Sequence, residues 1–235
     1  MTKEEILEGK VLLVNKPYTW TSFQVVKKIK NAIHKEYGIP KIKIGHAGTL
    51  DPLATGLLII CTGKFTKKID EYQAQEKEYT GNFTLGATTP SFDLELPIDN
   101  EYPISHITEE TIRETASNFL GEQDQIPPVF SAVKIDGKRA FDYARNNEEV
   151  EIKSKKITIK AFDVESIEMP KVNFRIVCSK GTYIRSIARD FGKTLNSGAH
   201  LSELCRTRIG EYHLKDAMEL TEILNSFNSL QSHNQ

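Results

Sequence analysis

The chain reads as an α+β fold, with a central mixed, mostly antiparallel sheet flanked by helices. Strand-patterned segments come in runs, and helical segments fall irregularly among them rather than in strict alternation. Neither a G-x-G-x-x-G nor a Walker A motif is present, which argues against a nucleotide-cofactor domain. The 235 residues are expected to form a single catalytic domain spanning 1–235.

In chain order, Val11 to Asn15 is a short apolar strand. Thr21 and Ser22 can cap a helix running to about Tyr37, with Phe23, Val26, Ile29 and Ile33 at helical spacing. Lys41 to Ile44 alternates as a strand does, Gly45 to Pro52 is a loop, and the apolar run Leu53 to Ile60 reads as a short helix. Glu78 to Leu85 is a strand, and Ser91 to Ile104, with its acids and prolines, a long loop. Thr108 caps a helix with an acidic first turn, ending near Leu120. Val129 to Ile135 is a strand and Arg139 to Asn146 a helix. Three strands follow, Val150 to Ile157, Ala161 to Ile167 and Val172 to Cys178, then a helix from Tyr183 to Leu195. Thr207 to Leu214 is the last strand and Leu220 to Phe227 the last helix.

The formal net charge of −1 hides a strong asymmetry. Lys16 to Ile44 holds seven lysines against Glu36 alone, and Lys171 to Lys215 holds nine basic residues against three acids. Ser91 to Gln125 holds nine acids against Arg113 alone. Such a distribution suits one cationic face for a polyanion, although solvated helix and strand surfaces produce the same count. Cys61, Cys178 and Cys205 form no C-x-x-C pair, and their sparse, odd number suits a reducing cytosol. No apolar run is long enough to span a bilayer and the charged N-terminus is no signal peptide, so a cytoplasmic location away from membranes is expected.

The densest chemical signal is Gly45-His46-Ala47-Gly48-Thr49-Leu50-Asp51-Pro52-Leu53-Ala54-Thr55-Gly56. Three glycines and a proline make a tight loop that a ligand can approach closely. An Asp before a Pro is also an ordinary helix cap, here for the segment through Leu53.

This segment resembles the signature of the bacterial TruB family, the tRNA uridine-55 pseudouridine synthases. The likeness extends to Asn15-Lys16-Pro17 with Trp20-Thr21-Ser22, to Lys77-Glu78-Tyr79, and to Pro127-Pro128-Val129-Phe130-Ser131-Ala132-Val133-Lys134 with Gly137-Lys138-Arg139. It continues through Cys178-Ser179-Lys180-Gly181-Thr182-Tyr183-Ile184-Arg185, Gly198-Ala199-His200-Leu201 and Arg206-Thr207-Arg208-Ile209-Gly210, in family order from residue 15 to about 210. Thr88-Thr89-Pro90-Ser91-Phe92-Asp93 matches a family Thr-Asp-Thr-x-x-Asp run only in part. The C-terminal PUA domain of many members is expected to be missing, since the chain ends soon after the last block.

The resemblance implies a pseudouridine synthase fold and isomerisation of uridine-55 in the tRNA T-arm, by a monomer that does not act on DNA. It implies Asp51 as the catalytic carboxylate and Tyr79 as the aromatic that meets the target base. A buried carboxylate needs a nearby cation to stay ionised, and Arg185, in the family's arginine motif, is the candidate partner of Asp51, with a phosphate contact at a basic helix start as the alternative. His46, Gly48, Asp93, Lys180, Tyr183 and Lys16 are implied on the substrate side. His46 either fills the space of the flipped base or orders the loop by a hydrogen bond, and Lys180, Tyr183 and Lys16 either line the cleft or support Asp51. The reaction is redox-neutral and adds no group, so no cofactor and no metal are expected. A carboxylate can attack C1′ of the sugar or C6 of the base, or deprotonate C2′. Extruding the base costs a few kcal/mol, which stacking on an aromatic ring offsets by about 1–3 kcal/mol. A tRNA-folding chaperone and the catalytic subunit of an RNA-guided particle are the alternatives.

Overall fold

The computed structural model describes residues 1–131, 133–135, 137–146, 148 and 150–228. Its elements are α1 (Lys3–Glu8), β1 (Val11–Lys16), α2 (Ser22–Tyr37), β2 (Ile44–His46), β3 (Ala54–Thr62), a 3-10 turn (Gly63–Lys68), α3 (Ile69–Ala74), β4 (Lys77–Leu85), β5 (Ala87–Thr88) and β6 (Asn100–Glu101). There follow α4 (Glu109–Asn118), β7 (Gly121–Gln125), β8 (Lys134–Ile135), β9 (Lys138–Arg139), α5 (Ala140–Arg145), β10 (Lys155–Glu168) and β11 (Lys171–Cys178). The last described elements are α6 (Ile184–Thr194), β12 (Ala199–Ile209), β13 (Tyr212–His213), β14 (Met218–Glu219) and α7 (Leu220–Asn228). The fold is α+β, and its sheet is mixed: β14 runs parallel to β1, whereas β1 with β3 and β10 with β11 are antiparallel. The chain forms two compact units, Met1–Tyr79 with Cys205–Gln235, and Thr80–Leu204.

In the first unit the strand order is β14-β1-β3-β12-β4, with β2 beside β3. Helix α2 starts as its sequence dictates. Thr21 Oγ1 accepts from the Gln24 amide, and Gln24 Oε1 accepts from the Thr21 amide. Val25, Val26, Ile29 and Ile33 form its buried face, packed with Leu58 and Ile60 of β3 and with Ile223 and Phe227 of α7. Phe23, expected on that face, is 70% exposed. It lies one residue to the outside of the buried row, where a 3.6-residue period turns it to solvent.

The segment expected as a helix from Leu53 to Ile60 is instead β3. Leu58 and Ile60 face the α2 side, whereas Leu57, Ile59 and Cys61 face a second cluster with Tyr72 and Ile209. A strand covered on both faces has no polar alternation, so its sequence is a plain apolar run that periodicity cannot separate from a buried helix. Each of these fully enclosed Leu and Ile side chains contributes about 1.5–3 kcal/mol of burial.

In the second unit the order is β12-β4-β11-β10-β7. Phe83, Phe119, Phe162, Phe174 and Phe191 form its aromatic core, with the Phe83 and Phe174 rings 4.3 Å apart. The two strands expected at 150–157 and 161–167 are one strand, β10, from Lys155 to Glu168. Register shifts at Ile159/Ala161 and Val164/Ser166 break its alternation and make one strand look like two. The edge strand β7, sequence GEQDQ, has no apolar signal and was not expected. Its pairing with Lys155–Ile159 places Glu122 and Asp124 beside Lys156. The strand expected at 129–135 is reduced to Lys134–Ile135, and Ala132 lies outside the described residues. The expected strand at 41–44 is displaced to Ile44–His46, and the last long strand starts earlier than expected, at Ala199.

Candidate active site

Asp51 lies half-buried on the loop between β2 and β3. Because a strand follows, the helix-capping explanation for an Asp-Pro pair disappears. The Asp51 carbonyl instead accepts from the Ala54 amide at 3.0 Å, which turns the chain into β3.

Buried donors grip the backbone on both sides of Asp51. Arg206, 1% exposed, donates from Nη2 to the Gly48 carbonyl at 3.0 Å, from Nη1 to Thr49 at 3.4 Å, and from Nε to Leu57 at 2.8 Å. The Ser22 hydroxyl donates to the Leu50 carbonyl at 3.1 Å and accepts from the Leu50 amide at 2.9 Å. Lys16, fully enclosed, donates from Nζ to the carbonyls of Pro17, Trp20 and Pro52 at 2.9, 2.5 and 3.3 Å. The Thr19 amide also donates to Pro52, at 2.9 Å. The carbonyls of residues 48, 49, 50 and 52 are thus all occupied by protein donors, leaving the loop little freedom to relax.

The electrostatics follow from this enclosure. Burial pushes the Lys16 ammonium down to about 8, with Arg206 adding to the shift and the Asp51 carboxylate opposing it. Burial, then the Arg206 charge, lowers the pKa of His46, so its imidazole is neutral at pH 7. A carboxylate on a half-buried loop, near enough to the enclosed Lys16 ammonium to oppose its loss of charge, can act as a nucleophile or a base.

Tyr79 is buried in β4. Beside it, the Glu78 carboxylate accepts from Thr207 Oγ1 at 2.8 Å and lies 3.9 Å from Arg208 Nε. In the second unit the structure brings Asp93 and Arg185 together. Arg185 is 4% exposed, with its Nε 3.6 Å from Asp93 Oδ2 and its guanidinium donating to the Ser91 and Phe130 carbonyls at 3.2 and 3.0 Å. Asp93 Oδ1 accepts from the Glu95 amide, and its carbonyl accepts from Thr89 and Ser91. Tyr183 is the N-cap residue of α6, and its backbone is clamped by Gln125, which accepts from its amide at 2.8 Å and donates to its carbonyl at 3.1 Å. Lys180 is exposed. Among the described residues no three His, Cys, Asp or Glu side chains are grouped to hold a metal ion. Nor is any helix among them long and apolar enough to cross a membrane.

Two contributors to the loop, Ser22 and Arg206, were legible only as a helix-start residue and as part of a motif. Nothing local marks Arg206, because its partners lie about 150 residues away in sequence.

Residues 34–184 match the TruB family pseudouridylate synthase N-terminal domain, and residues 185–235 the tRNA pseudouridylate synthase B C-terminal domain. The chain is 60% identical over 222 residues to a tRNA pseudouridine synthase B of Flavobacterium johnsoniae, covering 94% of this chain and 97% of that one. It is 56% identical to the protein of the same name from Phocaeicola vulgatus, over 91% of each. Among solved structures it resembles a chain of a Cbf5-Nop10-Gar1 complex, with TM-score 0.75 and 28% identity. That alignment spans 99% of this chain but only 58% of the other. On the match to both domains and the 60% identity across nearly the whole chain, the protein belongs to the TruB family of pseudouridylate synthases.

Proposed function

We propose that this tRNA pseudouridine synthase converts uridine-55 of the T-arm, with Asp51 as its catalytic carboxylate and the target base flipped out of the loop. The observation that carries the reading is the Asp51 loop itself, whose carbonyls at 48, 49, 50 and 52 are claimed by Arg206, Ser22, Lys16 and Thr19. A loop fixed in this way presents one carboxylate to a substrate at little reorganisation cost. Asp51 attacks C1′ or C6, or removes the C2′ proton; each route is redox-neutral and returns the base to the same sugar through carbon. Tyr79 supplies the stacking surface for the extruded base and Arg185 stabilises the charge that develops. His46, neutral at pH 7, takes the place of the departed base, and Gly48, Asp93, Lys180, Tyr183 and Lys16 shape the surroundings of the substrate.

The test is incubation of the purified protein with unmodified tRNA, in chelator and without added cofactor. Pseudouridine at position 55 is the expected result. Bound tRNA without product overturns the reading in favour of a folding chaperone, and product only with an added guide RNA overturns it in favour of an RNA-guided subunit.

A further inference from the structure

Two adjacent lysines at the start of β10 have opposite surroundings. Lys156 is 66% exposed, and its Nζ lies 3.2 Å from Glu122 and 3.6 Å from Asp124. Its pKa is raised, first by the Glu122 hydrogen bond and then by the charges of Asp124 and Glu122. Lys155 is half-buried, and among the described residues no carboxylate answers it. Its ammonium instead lies 4.3 Å from the centre of the Tyr183 ring. Burial lowers its pKa.

The ring beneath Lys155 is held in place by its neighbours. Gln125, the strand partner of Lys155, clamps the Tyr183 backbone at both its amide and its carbonyl. Residue 181 is glycine, and a Cβ there would lie 3.3 Å from Lys155 Nζ, tighter than ordinary contact. The protein therefore keeps a cation partly dry on an aromatic face, beside a position without a side chain, and no anion among the described residues offsets the desolvation. A cation–π contact alone is weaker than a close ion pair in a partly dry site.

We infer that Lys155 binds a phosphodiester of the RNA substrate over the Tyr183 ring, while Lys156 serves only the sheet edge. This inference rests on the reading of the chain as a tRNA-modifying enzyme. Binding a phosphate here releases about one condensed counterion, so it shows in the salt dependence of affinity.

The experiment measures binding of an unmodified T-arm hairpin across a salt series for the wild type, Lys155→Gln and Lys156→Gln. Lys155→Gln is expected to reduce the slope of log Kd against log salt by about 0.7–0.9 and to raise KM with kcat unchanged. Lys156→Gln is expected to leave the slope as it is. A second measurement needs no variant: acetic anhydride labelling of the wild type, with and without hairpin, read by peptide mass. Protection of Lys155 with Lys156 still reactive is expected. An unchanged slope in a folded Lys155→Gln, or a Lys155 labelled equally with and without bound hairpin, overturns the inference while leaving the proposed function standing. A wild type that binds no hairpin removes both.

Discussion

Arg206 Nη2 lies 3.0 Å from the carbonyl oxygen of Gly48, a contact made across 158 residues of sequence. The same guanidinium also reaches Thr49 and Leu57, so one enclosed side chain joins the strand that ends the chain's motif series to the loop that carries Asp51. Its planar fork suits three carbonyls in different directions, as a lysine's single ammonium does not. Arg206→Met is therefore expected to cost at least ~3 kcal/mol of stability, because three carbonyls lose a charged donor. Arg206→Lys should recover part of that stability but not the turnover, since the loop would be held at fewer points. Thermal melting and single-turnover conversion of a T-arm hairpin measure the two effects. A well-folded Arg206→Lys with wild-type turnover would show that the loop needs no such anchor.

Asp51→Asn keeps the shape of the side chain and removes the charge. Because buried donors hold the loop through the carbonyls of residues 48, 49, 50 and 52, the substitution should leave the fold and the hairpin affinity within a few-fold of wild type. Turnover should fall by more than ~10³-fold, the scale seen when a reacting group is deleted. Pseudouridine formation and filter binding check the two halves; turnover near the wild-type level would remove Asp51 from the mechanism.

The sequence alone carried the local features well. Thr21 announced the start of α2, and Thr108 the start of α4, because capping is written within four residues. What failed was whatever depended on distant partners. Leu57 to Cys61 looked helical because the layers on both faces of β3 come from elsewhere in the chain. Strand β7 was invisible because its polar sequence becomes a strand only through pairing with β10. The site divides in the same way. The resemblance of a contiguous loop singled out Asp51, whereas nothing near Arg185 in sequence pointed to Asp93 as a carboxylate beside it, and nothing marked Lys155 off from Lys156.

Lys16 is expected to give activity and stability opposite pH dependences. Its ammonium holds the Pro17, Trp20 and Pro52 carbonyls, and burial places its pKa at about 8 against an ordinary 10.5. Between those two values the unfolded chain binds the extra proton, so the contribution of this group to stability rises with pH and is least favourable below 8. Turnover should move the other way, falling above about pH 8 as the ammonium is lost and its grip on the loop slackens. Lys16→Met should turn over more slowly, lack this alkaline limb, and show a flatter dependence of melting temperature on pH between 8 and 10.5. An alkaline limb that persists unchanged in Lys16→Met would assign it to another group.

Gly56 tests how closely β3 must approach β12. Its φ is +101°, and a Cβ there would lie 2.4 Å from the Arg206 carbonyl oxygen, 2.6 Å from the Arg206 amide nitrogen and 2.9 Å from Cys205 Sγ. Two of these atoms are backbone of a paired strand and cannot rotate away, so Gly56→Ala must push β12 back and carry the Arg206 guanidinium off the Gly48 and Thr49 carbonyls. Gly38 is the natural control. It also has a positive φ, of +64°, but a Cβ there meets nothing within 4 Å. Gly38→Ala should therefore cost only the left-handed strain, about 1 kcal/mol, and leave turnover unchanged. Gly56→Ala adds the steric term, so it should cost more than ~2 kcal/mol and lower turnover well beyond what its fraction unfolded explains. Equal melting temperatures for the two variants would mean that backbone strain alone matters at Gly56, and that the spacing between β3 and Arg206 is not what holds the Asp51 loop in place.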